Sequence, residues 1–220
     1  MMKHILKNRV IMAALTAAMC LTLLCGCGSR NFDAAAYVKG GLDVLYLGEV
    51  SDEYLKLVVD SREDCLAMYE ENAVNEAENF GKMFYVDVNN EPEEALIQLY
   101  KDIFAKSKYE VGEAAEENGG YTVEVTVYPI DLFRTSYEAL DMYDREFTQR
   151  FADGEFEGAA GSDIEKDYLQ GMIDILRSGL DSLGYLDAVT VTLHLTDDGD
   201  GVYTINDDDY AELHRNIIAY

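Results

Sequence analysis

Few residues in this chain have a type and spacing that could do chemistry. The densest group is an acidic turn, Thr196-x-Asp198-x-Asp200-Gly201, with Asp207 six residues further on. Oxygen ligands alternating around a glycine bend are what calcium takes. Here the first position is Thr rather than Asp. The preceding Val189, Val191, Leu193 and Leu195 alternate as a strand, where a helix should lead into such a loop. The expectation is an ordinary hairpin turn, for which Asp and Gly are the usual residues, and no metal site. His194 and His214 stand in neither a His-Glu-x-x-His nor a Cys/His pattern, so no zinc site or Ser-His-Asp triad is signalled. An acid–base carboxylate pair needs one carboxyl with a raised pKa beside one without. With 43 Asp and Glu residues such a pair is not located by spacing. No glycine-rich phosphate loop follows a strand. Among 16 tyrosines, Tyr37, Tyr69, Tyr100 and Tyr137 fall on core stripes, whereas Tyr128 lies on the polar phase of its strand and is the candidate for lining a pocket. No catalytic residue and no cofactor is assigned.

The N-terminus is more specific. Lys3, Lys7 and Arg9 precede an uncharged run from Val10 to Leu24, and small residues follow. A basic start, an apolar stretch and a small-residue cut site describe a secretory signal peptide. The run is shorter than the ~20 apolar residues that span a bilayer. It closes on Leu24-Cys25-Gly26-Cys27, which resembles the lipobox of bacterial lipoproteins, although Cys25 stands where Ala, Ser or Thr is usual. The resemblance implies diacylglycerol transfer to Cys27, cleavage after Gly26 and lipid anchoring on the outer face of the cytoplasmic membrane. Cys20 and Cys25 follow Met19 and Leu24, not a small residue, and are not the lipidated position. Two acyl chains suit stable anchoring, since one alone binds marginally.

Charge and cysteine content narrow the remainder. The chain has 17 basic and 43 acidic residues, a net charge of −26, and loss of the leader removes three basic residues and no acid. Such a surface repels nucleic acid, so no nucleic-acid partner is expected. Once Cys20 and Cys25 leave and Cys27 is acylated, Cys65 stands alone and no internal disulfide is possible. Its place on an apolar helix face makes it a buried, inert thiol.

The elements behind these residues are legible from periodicity. Residues 1–26 form the signal peptide, 27–32 a short tether and 33–220 a single acidic domain. Asp33 caps a helix running to Leu47, interrupted by Gly40-Gly41, where close packing is expected. A short helix with Leu55, Val58 and Val59 inward follows. Ser61 to Asp64 reads as a capping box. The helix behind it carries Cys65, Tyr69, Ala73, Ala77, Phe80 and Phe84 on its apolar stripe, with Glu70, Glu71, Glu76 and Glu78 opposite. Tyr85 to Val88 reads as an extended link, and Asn90 caps a helix with Leu96, Leu99, Tyr100 and Ile103 inward. Two hairpins, around residues 116–120 and 197–201, alternate with period two. Between them lie a helix with Phe133, Tyr137, Leu140, Phe147 and Phe151 as its stripe, and another opening on a second capping box, Ser162 to Glu165. A last helix starts near Asp207.

The fold class is α+β: a helix-rich N-terminal half, and two antiparallel hairpins forming one sheet packed on helices. The chain is similar to small exported lipoproteins of Gram-positive bacteria, some of which have NTF2-like or cystatin-like cores. The expected function is a non-enzymatic ligand-binding or protein-interaction module held at the membrane through Cys27, with an envelope protein or small molecule as partner. The alternative is a cell-envelope hydrolase using buried carboxylates.

Overall fold

The computed structural model describes residues 32–86, 92–197 and 203–220. Cys27 and most of the tether lie outside them, as do Asn90 and the turn residues Asp198, Asp200 and Gly201.

Helix α1 (Ala34–Leu42) starts where the Asp33 carboxylate accepts the Ala36 amide at 2.9 Å. It passes into a π-helical turn, Asp43–Leu47, and stops at Gly48 with φ +65°. Gly40 is required by a close approach, since a Cβ there would stand 2.3 Å from the Tyr54 ring. The tight contact expected at the glycine pair is thus present, against the 3₁₀ turn Tyr54–Lys56. Val58 behind that turn is buried, but Val59 is exposed, because the turn ends before a second inward position can form.

Helix α2 (Arg62–Phe84) begins with the reciprocal bonds of a capping box: Ser61 Oγ accepts the Asp64 amide and the Asp64 carboxylate accepts the Ser61 amide. Cys65, Ala73, Ala77 and Phe80 are buried, as the stripe requires, and burial together with Asp60 and Asp64 pushes the Cys65 thiol up. The helix ends at Tyr85, which takes the left-handed conformation (φ 57°, ψ 41°) instead of the extended one. Helix α3 (Pro92–Phe104) buries Leu96, Leu99, Tyr100 and Ile103 completely.

The sheet has the order β1-β2-β3-β4, all antiparallel, from β1 (Lys108–Glu117), β2 (Gly120–Tyr128), β3 (Val189–Asp197) and β4 (Tyr203–Ile205). Asn118 and Gly119, both at positive φ, make the two-residue turn between β1 and β2 that matches the strands' twist. The register shifts between Val111 and Ala114, a bulge in the outer strand. Val123, Val125, Val127, Val191, Leu193 and Leu195 face the core, and the threonines between them face outward.

The helix expected from Asp131 is two: α4 (Leu132–Thr135) and α5 (Tyr137–Ala152), broken at Ser136. The break and the overhang of the last turn explain why Tyr137 and Phe151, expected inward, are exposed, while Leu140 and Phe147 are buried. Helix α6 (Gly161–Gly179) begins one residue before Ser162, so the second capping box does not form; its N-cap is Ala160, with no side-chain bond. Helix α7 (Asp207–Arg215) is capped by Asn206, whose side chain accepts the Asp208 and Asp209 amides. The chain then returns beside the end of β2, where the Ile130 amide donates to Ile217 and the Ala219 amide donates to Ile130. The architecture is α+β, one antiparallel sheet packed on helices.

Candidate functional site

The sequence leaves Glu76 on the solvent side of α2. The structure buries it to 6 % exposure, the one buried carboxylate among the described residues. Helix α2 turns two flanks inward: the expected stripe and, one step round, Asn72 and Glu76 at i, i+4 spacing. Asn72 uses its amide to satisfy the Leu45 carbonyl of the π-helical turn at 2.9 Å. Glu76 meets the C-terminal segment. Its Oε1 accepts from His214 Nε2 at 3.0 Å and from Asn79 Nδ2 at 3.4 Å, and its Oε2 accepts from the Tyr220 hydroxyl at 2.6 Å.

The network continues on both sides. His214 Nδ1 lies 2.8 Å from the fully buried Tyr46 hydroxyl, and the Tyr220 hydroxyl also reaches the Tyr100 hydroxyl at 3.2 Å. The rings of Tyr46 and Tyr210 stack on the His214 imidazole. Burial alone would raise the Glu76 pKa, but the bonds from His214, Tyr220 and Asn79 outweigh it and hold the carboxyl below its ordinary value. Burial is the first cause that pushes the phenols up, Tyr210 to about 12 and Tyr46, Tyr100 and Tyr220 well above the ordinary value of a phenol. Glu76 is the common acceptor of this network, its two oxygens meeting His214 Nε2, Asn79 Nδ2 and the Tyr220 hydroxyl. A Glu–His pair can shuttle protons, but here both carboxylate oxygens and both imidazole nitrogens have partners within the fold. No cavity described below reaches them.

The other candidates scatter. His194 pairs with Asp209, which accepts both the ring Nδ1–H at 2.7 Å and the His194 amide at 2.9 Å and so closes β3 where β4 is too short to cover it. Tyr128 lines no described pocket. It stands on the outer sheet face, donates to Glu110 at 3.0 Å and lies under the Lys108 ammonium, 4.1 Å from the ring centroid. Thr196 pairs across the ladder with Thr204, and Asp207 sits in the first turn of α7. No three His, Cys, Asp or Glu side chains among the described residues are arranged to hold a metal ion.

Among the described residues two surface clefts stand out. One, of about 360 Å³, lies between the end of β2 and the C-terminal segment and carries Arg134, Arg215 and Asp187. The other, of about 250 Å³, lies where the end of α2 meets α5 and α6. Tyr85, Phe147 and Tyr168 line it, with Ile164 beside them and Asp144 and Glu165 as its acids. Sequence reasoning missed both Glu76 and this cleft. The usable signals were the i, i+4 pair Asn72 and Glu76 flanking a buried stripe, and the aromatic density from Tyr143 to Tyr168.

No protein-family model and no curated protein matches the chain. Its fold is similar to the crystal structure of "a putative lipoprotein (ycdA)" from Bacillus subtilis, with a TM-score of 0.59 and 16 % identity over 86 % of this chain and 56 % of that one. The chain thus spans little more than half the length of that protein, and the likeness is one of fold.

Proposed function

We propose that this chain is a lipoprotein anchored through Cys27 to the outer face of the cytoplasmic membrane, where residues 33–220 serve as a non-catalytic binding module. The observation that carries the reading is at the start of the body. Phe32 is already packed, stacked on Tyr203 at 4.3 Å between centroids and tilted against Tyr37 and Tyr121. Only residues 28–31 separate it from Cys27. A lipobox cysteine followed this closely by a residue docked on the sheet suits a domain held against a membrane. The shared fold with a protein described as a lipoprotein supports the same reading. The non-catalytic part is supported by the Glu76 network, whose polar atoms are spent on joining α2, α3 and the C-terminal segment.

Fractionation of cells expressing the full chain and its Cys27→Ala variant, with intact mass of the product, tests this. The wild type should partition with membranes at a mass of Cys27–Tyr220 plus acyl chains. The variant should appear as an uncleaved precursor or be released. Identical fractionation and mass for the two proteins would refute the anchor.

A further inference from the structure

The cleft between the end of α2 and the α5–α6 pair holds a combination that the packing of the fold uses only in part: Phe147 is buried and Asp144 holds Tyr168, whereas Tyr85 and Glu165 stay exposed. Tyr85, Phe147 and Tyr168 line it, and Asp144 and Glu165 stand among them. Aromatic faces attract cations through their quadrupole, and carboxylates add net charge, so rings and acids around one concavity favour an organic cation. Its volume of about 250 Å³ falls below the ~300–1,000 Å³ of sites that enclose drug-sized ligands, which suits a head group instead.

Tyr85 supplies a second, independent observation. It caps α2 in the left-handed conformation, where glycine is the usual residue because a Cβ is strained there. Strain of that kind is commonly recovered by packing the side chain. Here the ring is 83 % exposed. The chain thus holds an aromatic ring at the mouth of the cleft at the expense of backbone comfort, and burial does not account for it. A residue in a disfavoured conformation beside a concavity is a pointer to a site.

The same cluster already takes one cation from within the chain. The Arg150 guanidinium lies 5.1 Å from the Phe147 centroid and 4.9 Å from that of Phe156. Its charge is matched by Glu155 and Asp167, both at 2.8 Å, so it does not oppose a second cation nearby. Asp144 accepts the Tyr168 hydroxyl at 2.9 Å, which fixes that ring, and Glu165 is exposed.

We infer that this cleft binds a small quaternary ammonium solute, its methyl groups against Tyr85, Phe147 and Tyr168 and its charge opposite Asp144 and Glu165. The free solute is favoured over a phosphocholine lipid head group, because the phosphate would meet a chain of net charge −26. The inference names a ligand for the binding-module reading but does not need the anchor.

Titration of the detergent-solubilised full chain with tetramethylammonium and choline, read from the methyl proton resonances, tests it. Saturable binding is expected, undisturbed by potassium at equal ionic strength. Tyr85→Ala should weaken it roughly 3–10-fold, the range of one cation–π contact, and Glu165→Gln should weaken it less. Since both side chains are exposed, thermal unfolding should show both variants folded. Equal displacement by potassium, or an unchanged affinity in Tyr85→Ala, would overturn the site and leave the anchored module standing. Tighter binding of glycerophosphocholine than of choline would overturn the choice of a free solute.

Discussion

Two regions of this molecule bring aromatic rings and carboxylates together, and they end differently. Around Glu76 every polar atom is matched within the chain: His214, Tyr220 and Asn79 take up the carboxylate, and Tyr46 and Tyr100 extend the network. At the α5–α6 end, Tyr85 and Glu165 stay exposed beside a cleft. The composition is the same, and burial separates the outcomes. A carboxylate taken out of water must be satisfied by the fold, whereas an exposed one is free to meet a ligand. The first region closes the chain, because its partners come from both halves of the sequence. The second is local, built from helix ends and one hairpin of helices.

Removal of Glu76 is the most severe way to break the comparison. Glu76→Ala leaves the His214 imidazole and the Tyr220 hydroxyl, both only partly buried, without their acceptor, and each group left unsatisfied costs about 1–3 kcal/mol. Chemical denaturation should show that loss, with the cleft's ligand binding unchanged wherever the protein is folded. The same carboxyl sets an acid limit. Its folded pKa lies below the ordinary 4.5, so its contribution is complete above that value and fades as pH falls through the folded pKa. Glu76→Gln should therefore lose less stability on acidification between pH 5 and 3 than the wild type (the window in which a carboxyl titrates). Parallel pH profiles for the two would show that Glu76 is not held ionised.

Two glycines sharpen the same contrast. Gly40 and Gly171 each face a tyrosine so closely that a Cβ would fall within about 2.3 Å of it. At Gly40 the obstructing atoms run down to the Cβ of Tyr54, a ring 3 % exposed, so there is no room to yield. Gly40→Ala should cost about 1–3 kcal/mol, the usual penalty of overpacking. At Gly171 the obstruction is the far end of Tyr143, a half-exposed side chain that can swing outward. It would give up its bond to the Asp167 carbonyl, worth about 1 kcal/mol, and Ala returns about as much in helix propensity. Gly171→Ala should be neutral to within about 1 kcal/mol. Equal losses at the two positions would mean that the α5–α6 end is packed as tightly as the centre.

The sequence carries the scaffold better than the site, for physical reasons. Strand alternation, the Ser61–Asp64 capping box, the Gly40 contact and the buried Cys65 are local matters, decided within a few residues. Glu76 is not. Its partners are 138 and 144 residues away, and a glutamate beside an apolar stripe looks like solvated surface until a second element covers it. Tyr137 and Phe151 fail in the opposite sense. Their spacing is correct, but the helix break at Ser136 and the end of α5 leave nothing opposite them. Tyr128 has the phase of an outward residue, as expected, but an outward phase on an open sheet face makes no pocket. The cleft depends on a backbone angle at Tyr85, and the neighbouring sequence reads as an extended link.

That angle carries the smallest and most discriminating expected effect. Left-handed backbone costs a residue with a Cβ about 1–2 kcal/mol, and glycine removes the cost. Glycine also gains freedom in the unfolded chain, which takes back about 0.4–1 kcal/mol. Because the Tyr85 ring is almost fully exposed, little packing is lost with it. Tyr85→Gly should therefore raise stability by about 0.5–1 kcal/mol, visible as a small upward shift of the thermal midpoint. No substitution of Glu76 or of its partners should do the same, since there the side chain holds the fold together. A drop in stability for Tyr85→Gly would mean that the ring supports α2 after all. The contrast between a region that spends all its aromatic and acidic groups on folding and one that leaves Tyr85 and Glu165 outside the packing would then fail at its most exposed residue.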